Sequence, residues 1–193
     1  MQRYHLTFRV LYILIFPTLI PINCNIVSEL KVEEIFLTVS SKNIKIKNSD
    51  GVDFQYCVIT QNIEIKNSNE VFVINELLYD SAIIQYDIIF HNNKITLSNC
   101  DDKIKLDKMA NKYKYLLKSD ILILISSSDT LAYSKNYLDY ITPQKVILSI
   151  SDTTIVSENM IKFLGLVKRC EILDCRNKKN YQFRSNGNYF TVY

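Results

Sequence analysis

The side chains best suited to metal, redox or nucleophilic chemistry are few in this chain. Cys170 and Cys175 lie five positions apart, but a zinc site needs further ligands and the sequence offers none nearby at a matching spacing. A catalytic thiol would need a histidine as its base. After the N-terminal segment the only histidine is His91, which stands beside Asn92 and Asn93 in a predicted turn. We therefore expect no metal, no cofactor and no thiol chemistry.

Two interpretations of the cysteines stay open. Four of them follow the N-terminal segment, and in an exported chain that even number permits two disulfides. Cysteine also fills apolar core positions, especially in repeat proteins. The candidate disulfide or core cysteines are Cys57, Cys100, Cys170 and Cys175.

Motifs of the common enzyme classes are missing from the sequence. With 3 glycines it has no Gly-rich phosphate loop, and neither GxSxG nor HExxH occurs. Asp120, Asp152 and Asp174 recur near predicted strand ends, and glycoside cleavage would need such carboxylates to converge on one strand face. We interpret them as turn and helix-start residues. The sequence favours a non-catalytic protein, and a carbohydrate-active parallel β-helix enzyme is the alternative.

The first 24 residues are typical of a signal peptide. Arg3 and Arg9 precede an apolar run over 10–20, which is too short to span a membrane, and we place the cleavage after Cys24. Its removal takes two arginines and no acid, so the formal charge falls from +3 to +1. Such a weak charge does not favour nucleic acid as a partner. The expected location is secreted or cell surface, with no membrane span after cleavage.

The elements that must position any site follow a repeat. The segment NIKIKNSD at 43–50 returns as NIEIKNSN at 62–69, and its alternation places Ile44 and Ile46 on one strand face and Lys45 on the other. Related apolar strands begin near residues 94, 120, 145 and 170, about 25 positions apart. Apolar residues at helical spacing fill the intervals after 102, 129 and 157. The second half therefore predicts strand, turn and helix three times over.

This pattern resembles leucine-rich repeats, whose strand core reads L-x-L-x-x-N/C, as at Leu97 with Cys100. The resemblance implies an α/β solenoid over 25–193, with a parallel β-sheet and with helices on the convex side in the C-terminal half. Residues 26–42 would form an N-terminal cap and residues 43–177 the repeats. Asn186 and Gly187 predict a hairpin turn, so residues 178–193 would form a C-terminal β-hairpin cap over the last repeat.

The resemblance also implies a function, because partners of leucine-rich repeats usually bind the outward strand positions of the concave face. We expect an exported protein-binding module, either a host-facing effector or a surface protein, with a structural wall or coat component as a further alternative. Abundant Ile, Asn and Lys and the lack of any Asn-x-Ser/Thr sequon would suit a microsporidian-like parasite. A basic cluster at Arg176, Lys178 and Lys179 would offer a weak contact to an anionic glycan or lipid, or form a solvated turn. The concave-face candidates are Lys45, Lys47, Glu64, Lys66, Thr96 and Ser98.

Overall fold

The computed structural model describes residues 34–48, 51–58, 62–65, 73–79, 82–99, 102–126, 128–131, 133–176 and 180–192. All of them belong to one compact unit. The predicted signal peptide at 1–24 lies outside the described residues. So do four of the predicted site residues, namely Lys66, Cys100, Lys178 and Lys179.

One six-stranded sheet, here called the antiparallel sheet, is built from the two ends of the described chain. Its order is β14-β13-β1-β2-β3-β4, and every neighbouring pair is antiparallel. In β1 the buried residues Ile35, Leu37 and Val39 alternate with partly exposed ones, so one face of the sheet packs on the core. Its strands are β1 (Ile35–Ser40), β2 (Asn43–Asn48), β3 (Gly51–Cys57), β4 (Asn62–Ile65), β13 (Asn180–Ser185) and β14 (Phe190–Val192).

The second six-stranded sheet, the mixed sheet, has the order β12-β10-β8-β7-β6-β5. The four strands from β12 to β7 run parallel, and β6 and β5 are added antiparallel. A short parallel pair, β9 (Thr130–Leu131) and β11 (Ile155–Val156), lies beyond the ends of β8 and β10. The strands of the mixed sheet are β5 (Val73–Tyr79), β6 (Ala82–Phe90), β7 (Asn93–Ser98), β8 (Ile121–Ser126), β10 (Lys145–Ile150) and β12 (Glu171–Asp174).

Three short helices connect the parallel strands. They are α1 (Lys103–Tyr113), α2 (Lys135–Ile141) and α3 (Glu158–Lys162). Asp102 caps α1 by accepting hydrogen bonds from the backbone N–H of Ile104 (2.8 Å) and Lys105 (3.3 Å), and Ser134 caps α2 in the same way. A 3-10 turn (Lys114–Leu117) follows α1, and a π-helical turn (Phe163–Val167) follows α3.

The mixed sheet is the middle of three layers. In β8, Ile121, Ile123 and Ile125 pack against the antiparallel sheet, whereas Leu122 and Leu124 pack against the helices. Both faces of β8 are therefore buried, which explains its unbroken apolar sequence. The antiparallel sheet and the helices cover the two faces of the mixed sheet.

The predicted leucine-rich-repeat solenoid is wrong. The strands predicted near residues 94, 120, 145 and 170 exist, pair in parallel and alternate with helices. The face that a solenoid would leave open is nevertheless covered by a second, antiparallel sheet, and β5 and β6 reverse the strand direction. The described part of the predicted N-terminal cap at 26–42, residues 34–42, is no cap either, since β1 lies inside the antiparallel sheet between β13 and β2.

The two N-terminal copies of the repeat are not successive coils. They form β2 and β4, which lie on either side of β3, so that Asn43 and Asn62 both stand opposite Cys57. The two copies therefore share β3 as their neighbouring strand and pair with it in the same register.

The predicted C-terminal hairpin is confirmed, but its predicted position is wrong. Gly187 has φ +89°, and a Cβ there would lie 2.6 Å from the His91 side chain, so only glycine fits. The hairpin extends the antiparallel sheet beside β1 and does not cover the edge of β12.

Candidate binding surface

The antiparallel sheet turns one face away from the core, and we call this the outer face. A row of polar side chains crosses it in register over five strands, with Gln182, Thr38, Lys45, Gln55 and Glu64 as successive cross-strand partners. Neighbouring strands are about 4.8 Å apart, so the row is about 19 Å long. It carries amide, hydroxyl, ammonium and carboxylate groups.

A second row lies one strand pleat away on the same face. It joins Thr191, Arg184, Phe36 and Lys47, again as direct cross-strand partners. Phe36 is partly exposed, so its ring adds apolar surface between two cations. The outer face therefore combines hydrogen-bonding, charged and aromatic groups.

The predicted concave-face residues divide between the two sheets. Lys45, Lys47 and Glu64 do share one outward face, which belongs to the antiparallel sheet. Thr96 and Ser98 are buried in the mixed sheet, with 0% and 2% of their surface exposed. Their prediction as binding residues is wrong, because the antiparallel sheet and the helices cover β7 on both faces.

Thr96 belongs to a buried polar network between the mixed sheet and α2. Its hydroxyl donates to Asp87 Oδ1 (2.8 Å), which also accepts from the Gln85 side-chain amide (2.6 Å). The Tyr137 hydroxyl donates to Gln85 Oε1 (2.6 Å), and Lys94 forms an ion pair with Asp87. The network gives Asp87 partners inside the protein, which a buried carboxylate requires. We therefore assign it a structural role.

A pocket of about 240 Å³ opens where β1 begins and β13 turns into β14. Arg184 and Glu34 form an ion pair in it, and Tyr189 leaves 60% of its surface exposed at its rim. Asn186 and Thr191 complete the described lining. One corner of the antiparallel sheet thus holds an aromatic ring, an ion pair and two neutral polar groups.

The hairpin and the strand register build this pocket. Ile35 stands opposite Ser185, so Glu34 reaches the start of the turn at Asn186. Ser185 Oγ accepts from the Gly187 N–H (2.9 Å), and the turn is held in place. The sequence predicted the turn but missed the pocket, because nothing local indicates that β1 pairs with β13.

The described buried cysteines are packing residues. The Cys170 thiol donates to the Pro143 carbonyl (3.0 Å), and Cys175 lies in the core between the sheets. Burial, with a smaller contribution from the charge of Asp174, raises the pKa of the Cys175 thiol to about 12. Burial also raises the pKa of Cys170. Both thiols stay protonated at neutral pH, so they are poor nucleophiles. Both are free thiols, which favours the core interpretation for this pair.

Arg176 is engaged inside the fold and does not extend toward a ligand. Its Nε and Nη2 donate to both carboxylate oxygens of Asp174 (3.1 Å and 2.6 Å to Oδ2), and its Nη1 donates to the Thr154 carbonyl (2.9 Å). Burial alone would raise the pKa of Asp174, but the hydrogen bonds and charge of Arg176 hold it below its ordinary value. Arg176 is therefore not part of the predicted contact to a glycan or lipid.

The three recurring aspartates do not form one site. Asp120 precedes β8 and accepts from the Lys94 backbone N–H (2.8 Å), whereas Asp174 ends β12 and pairs with Arg176. Because parallel strands keep their starts and ends apart, Asp120 lies at the opposite edge from Asp152 and Asp174. Asp152 and Asp174 both lie near Arg176, whose positive charge they balance, and Asp120 is not part of that group.

Among the residues that the structure describes, no group of three or more potential ligands could hold a metal ion. In the same part of the chain, no helix is long and apolar enough to cross a membrane. No protein-family model matches the chain, and no curated protein matches it either.

Proposed function

We propose that this protein is a non-catalytic binding module that holds a protein partner on the outer face of its antiparallel sheet. The observation that carries the proposal is the in-register polar row from Gln182 to Glu64, which crosses five strands on the exposed side of a sheet. The mixed sheet offers no comparable row across its strands, because its central strands β7, β8 and β10 are buried on both faces.

The size of the outer face predicts the strength of binding. The six strands make the face about 24 Å wide, and a six-residue strand is about 17 Å long, which gives a projected area of about 400 Å². Stable interfaces bury about 800 Å² on each partner. Contact through this face alone is therefore weak and transient, and a tighter complex needs additional contacts at its rim.

The charges on β2 indicate what kind of partner fits. Lys42, Lys45 and Lys47 come from one turn and the strand that follows it, and Lys47 is exposed. An acidic surface would be attracted to these cations, which increases the association rate at low salt. We therefore expect a partner with an acidic patch.

The test compares two charge reversals in the full chain by proximity labelling and by affinity capture. Lys45→Glu with Lys47→Glu reverses the charge of the outer face, and we expect partners to bind at least about tenfold more weakly. Lys103→Glu with Lys105→Glu makes the same change on the exposed side of α1, in the opposite layer, and serves as the control. Equal capture by wild type and the outer-face variant, or equal loss in both variants, rejects the proposal.

Export remains part of the proposal and is supported by the sequence pattern of residues 1–24. A secreted or surface location would place the outer face in contact with extracellular partners. N-terminal sequencing of protein recovered from the medium should begin at Asn25. Retention of the full chain inside the cell would contradict this part of the proposal.

A further inference from the structure

We propose that the pocket beside the β13–β14 turn binds the terminal, uncharged sugar ring of a glycan. Tyr189 would stack on the ring, and Glu34 and Arg184 would bind its hydroxyl groups. The pocket lies at a corner of the outer face, where it shares Arg184 and Thr191 with the second row but no residue with the polar row from Gln182 to Glu64. Its ligand is of a different class from the protein partner proposed above.

The volume of the pocket selects a small ligand. About 240 Å³ corresponds to about eight water molecules and falls just below the range of drug-sized ligands. One six-membered sugar ring fits this space, and a second ring would have to lie outside. A terminal ring is therefore the part of a glycan that the pocket accommodates.

The charges of the pocket argue for a neutral ligand. The carboxylate of Glu34 and the guanidinium of Arg184 form an ion pair, so the described lining residues carry no net charge. A uronate or phosphate would have to displace the Glu34 carboxylate from Arg184. It would then be repelled by the negative charge of that carboxylate. A neutral polyhydroxy ring needs neither step.

The hydrogen-bonding groups match neighbouring hydroxyls. A hydroxyl both donates and accepts, so one can donate to the Glu34 carboxylate while its neighbour accepts from the Arg184 fork. The Asn186 side-chain nitrogen provides a further donor, since its Oδ1 accepts from the Asn188 N–H (3.1 Å), and the Thr191 hydroxyl, which donates to the Arg184 carbonyl (3.3 Å), provides a further acceptor. These four side chains thus offer donors and acceptors around a single small ligand.

Tyr189 supplies the apolar component. It is large, leaves 60% of its surface exposed and lines the pocket, whereas aromatic rings of this size are more often covered. A sugar ring has one face of C–H groups, and stacking on the tyrosine would bury both surfaces. Aromatic contacts of this kind contribute enough to change affinity by about two- to tenfold.

The experiment uses the full chain and saturation-transfer NMR with methyl glycosides of glucose, galactose, mannose and N-acetylglucosamine. We expect transfer to the ring protons of at least one glycoside, and weaker binding of that glycoside by about two- to tenfold in Tyr189→Ala. Tyr115→Ala is the matched control, since Tyr115 is 84% exposed in the turn after α1. Equal loss in both variants, or no transfer from the wild-type protein to any glycoside, overturns the proposal.

Two further arms test the chemistry of the ligand. Glu34→Gln leaves Arg184 without its carboxylate, so methyl glucuronide should bind the variant at least about tenfold better than it binds the wild type. Wild-type protein that prefers methyl glucuronide or inorganic phosphate to every neutral glycoside overturns the assignment. Binding of free sugars but not of their methyl glycosides overturns the placement at the end of a glycan. Unchanged thermal unfolding of each variant confirms that it is folded.

Discussion

The pair formed by Asp174 and Arg176 shows how a basic residue in a polar turn can be structural. Both side chains are largely covered, and the guanidinium binds the carboxylate with two of its nitrogens while a third bonds the Thr154 carbonyl. Exposed ion pairs contribute little because water screens them, but this planar, partly buried pair is screened less. The basic cluster in the sequence indicated a ligand contact for Arg176, as an alternative to a solvated turn. The contacts of its side chain show that it stabilises the fold.

The lowered pKa of Asp174 gives a prediction at the same scale. A carboxylate whose pKa is lower in the folded state stabilises the protein above its unfolded pKa, and the contribution is lost as the pH falls through the folded value. Arg176→Gln should therefore reduce the free energy of unfolding by about 1–2 kcal/mol at neutral pH. The difference from wild type should shrink below pH 3.8, the ordinary value.

Urea unfolding at neutral and at acidic pH measures this difference. Lys162→Gln is the control, because it removes the exposed i,i+4 partner of Glu158 and should change stability by less than about 0.5 kcal/mol. A destabilisation by Arg176→Gln that is the same at both pH values would show that the charge of Asp174 is not involved.

At the scale of elements, local patterns predicted what forms and long-range pairing determined where it lies. The apolar run at β8 and the turn at Asn186 were readable in short windows of sequence. The pairing of β1 with β13 brings Glu34 to Arg184 across 150 positions, and no local signal encodes it. The pocket was unpredictable for this reason.

The error about the open face has the same origin. An apolar strand such as β8 can be buried on both faces, but its sequence does not show which element packs on the second face. The alternating segments at 43–48 and 62–65 were compatible with parallel coils or with a meander, since both need one apolar face. The intervening β3 decides for the meander and therefore for the antiparallel sheet, which covers Ile95 and Leu97 of β7. Thr96 lies on the opposite face of β7, where its network reaches α2.

At the scale of the whole molecule, β8 belongs to both cores and should couple them. Ile123 packs toward the antiparallel sheet and Leu124 toward the helices, on consecutive positions of one strand. Truncation of either to alanine leaves a cavity and should cost about 2–5 kcal/mol. Since one backbone carries both side chains, each truncation should lower the stability of all three layers together.

Hydrogen exchange and urea unfolding followed by circular dichroism test this coupling. In Ile123→Ala and in Leu124→Ala we expect one cooperative transition at a lower midpoint, with faster exchange in β1 and in β10 alike. Ile104→Ala, on the exposed side of α1, should shift the stability by less than about 0.5 kcal/mol. If Leu124→Ala loosened the helices while the antiparallel sheet kept its protection, the layers would be separate folding units. In that case the outer face would stay folded after the helical layer is lost. If the three layers form one cooperative unit, the outer face unfolds together with the helices.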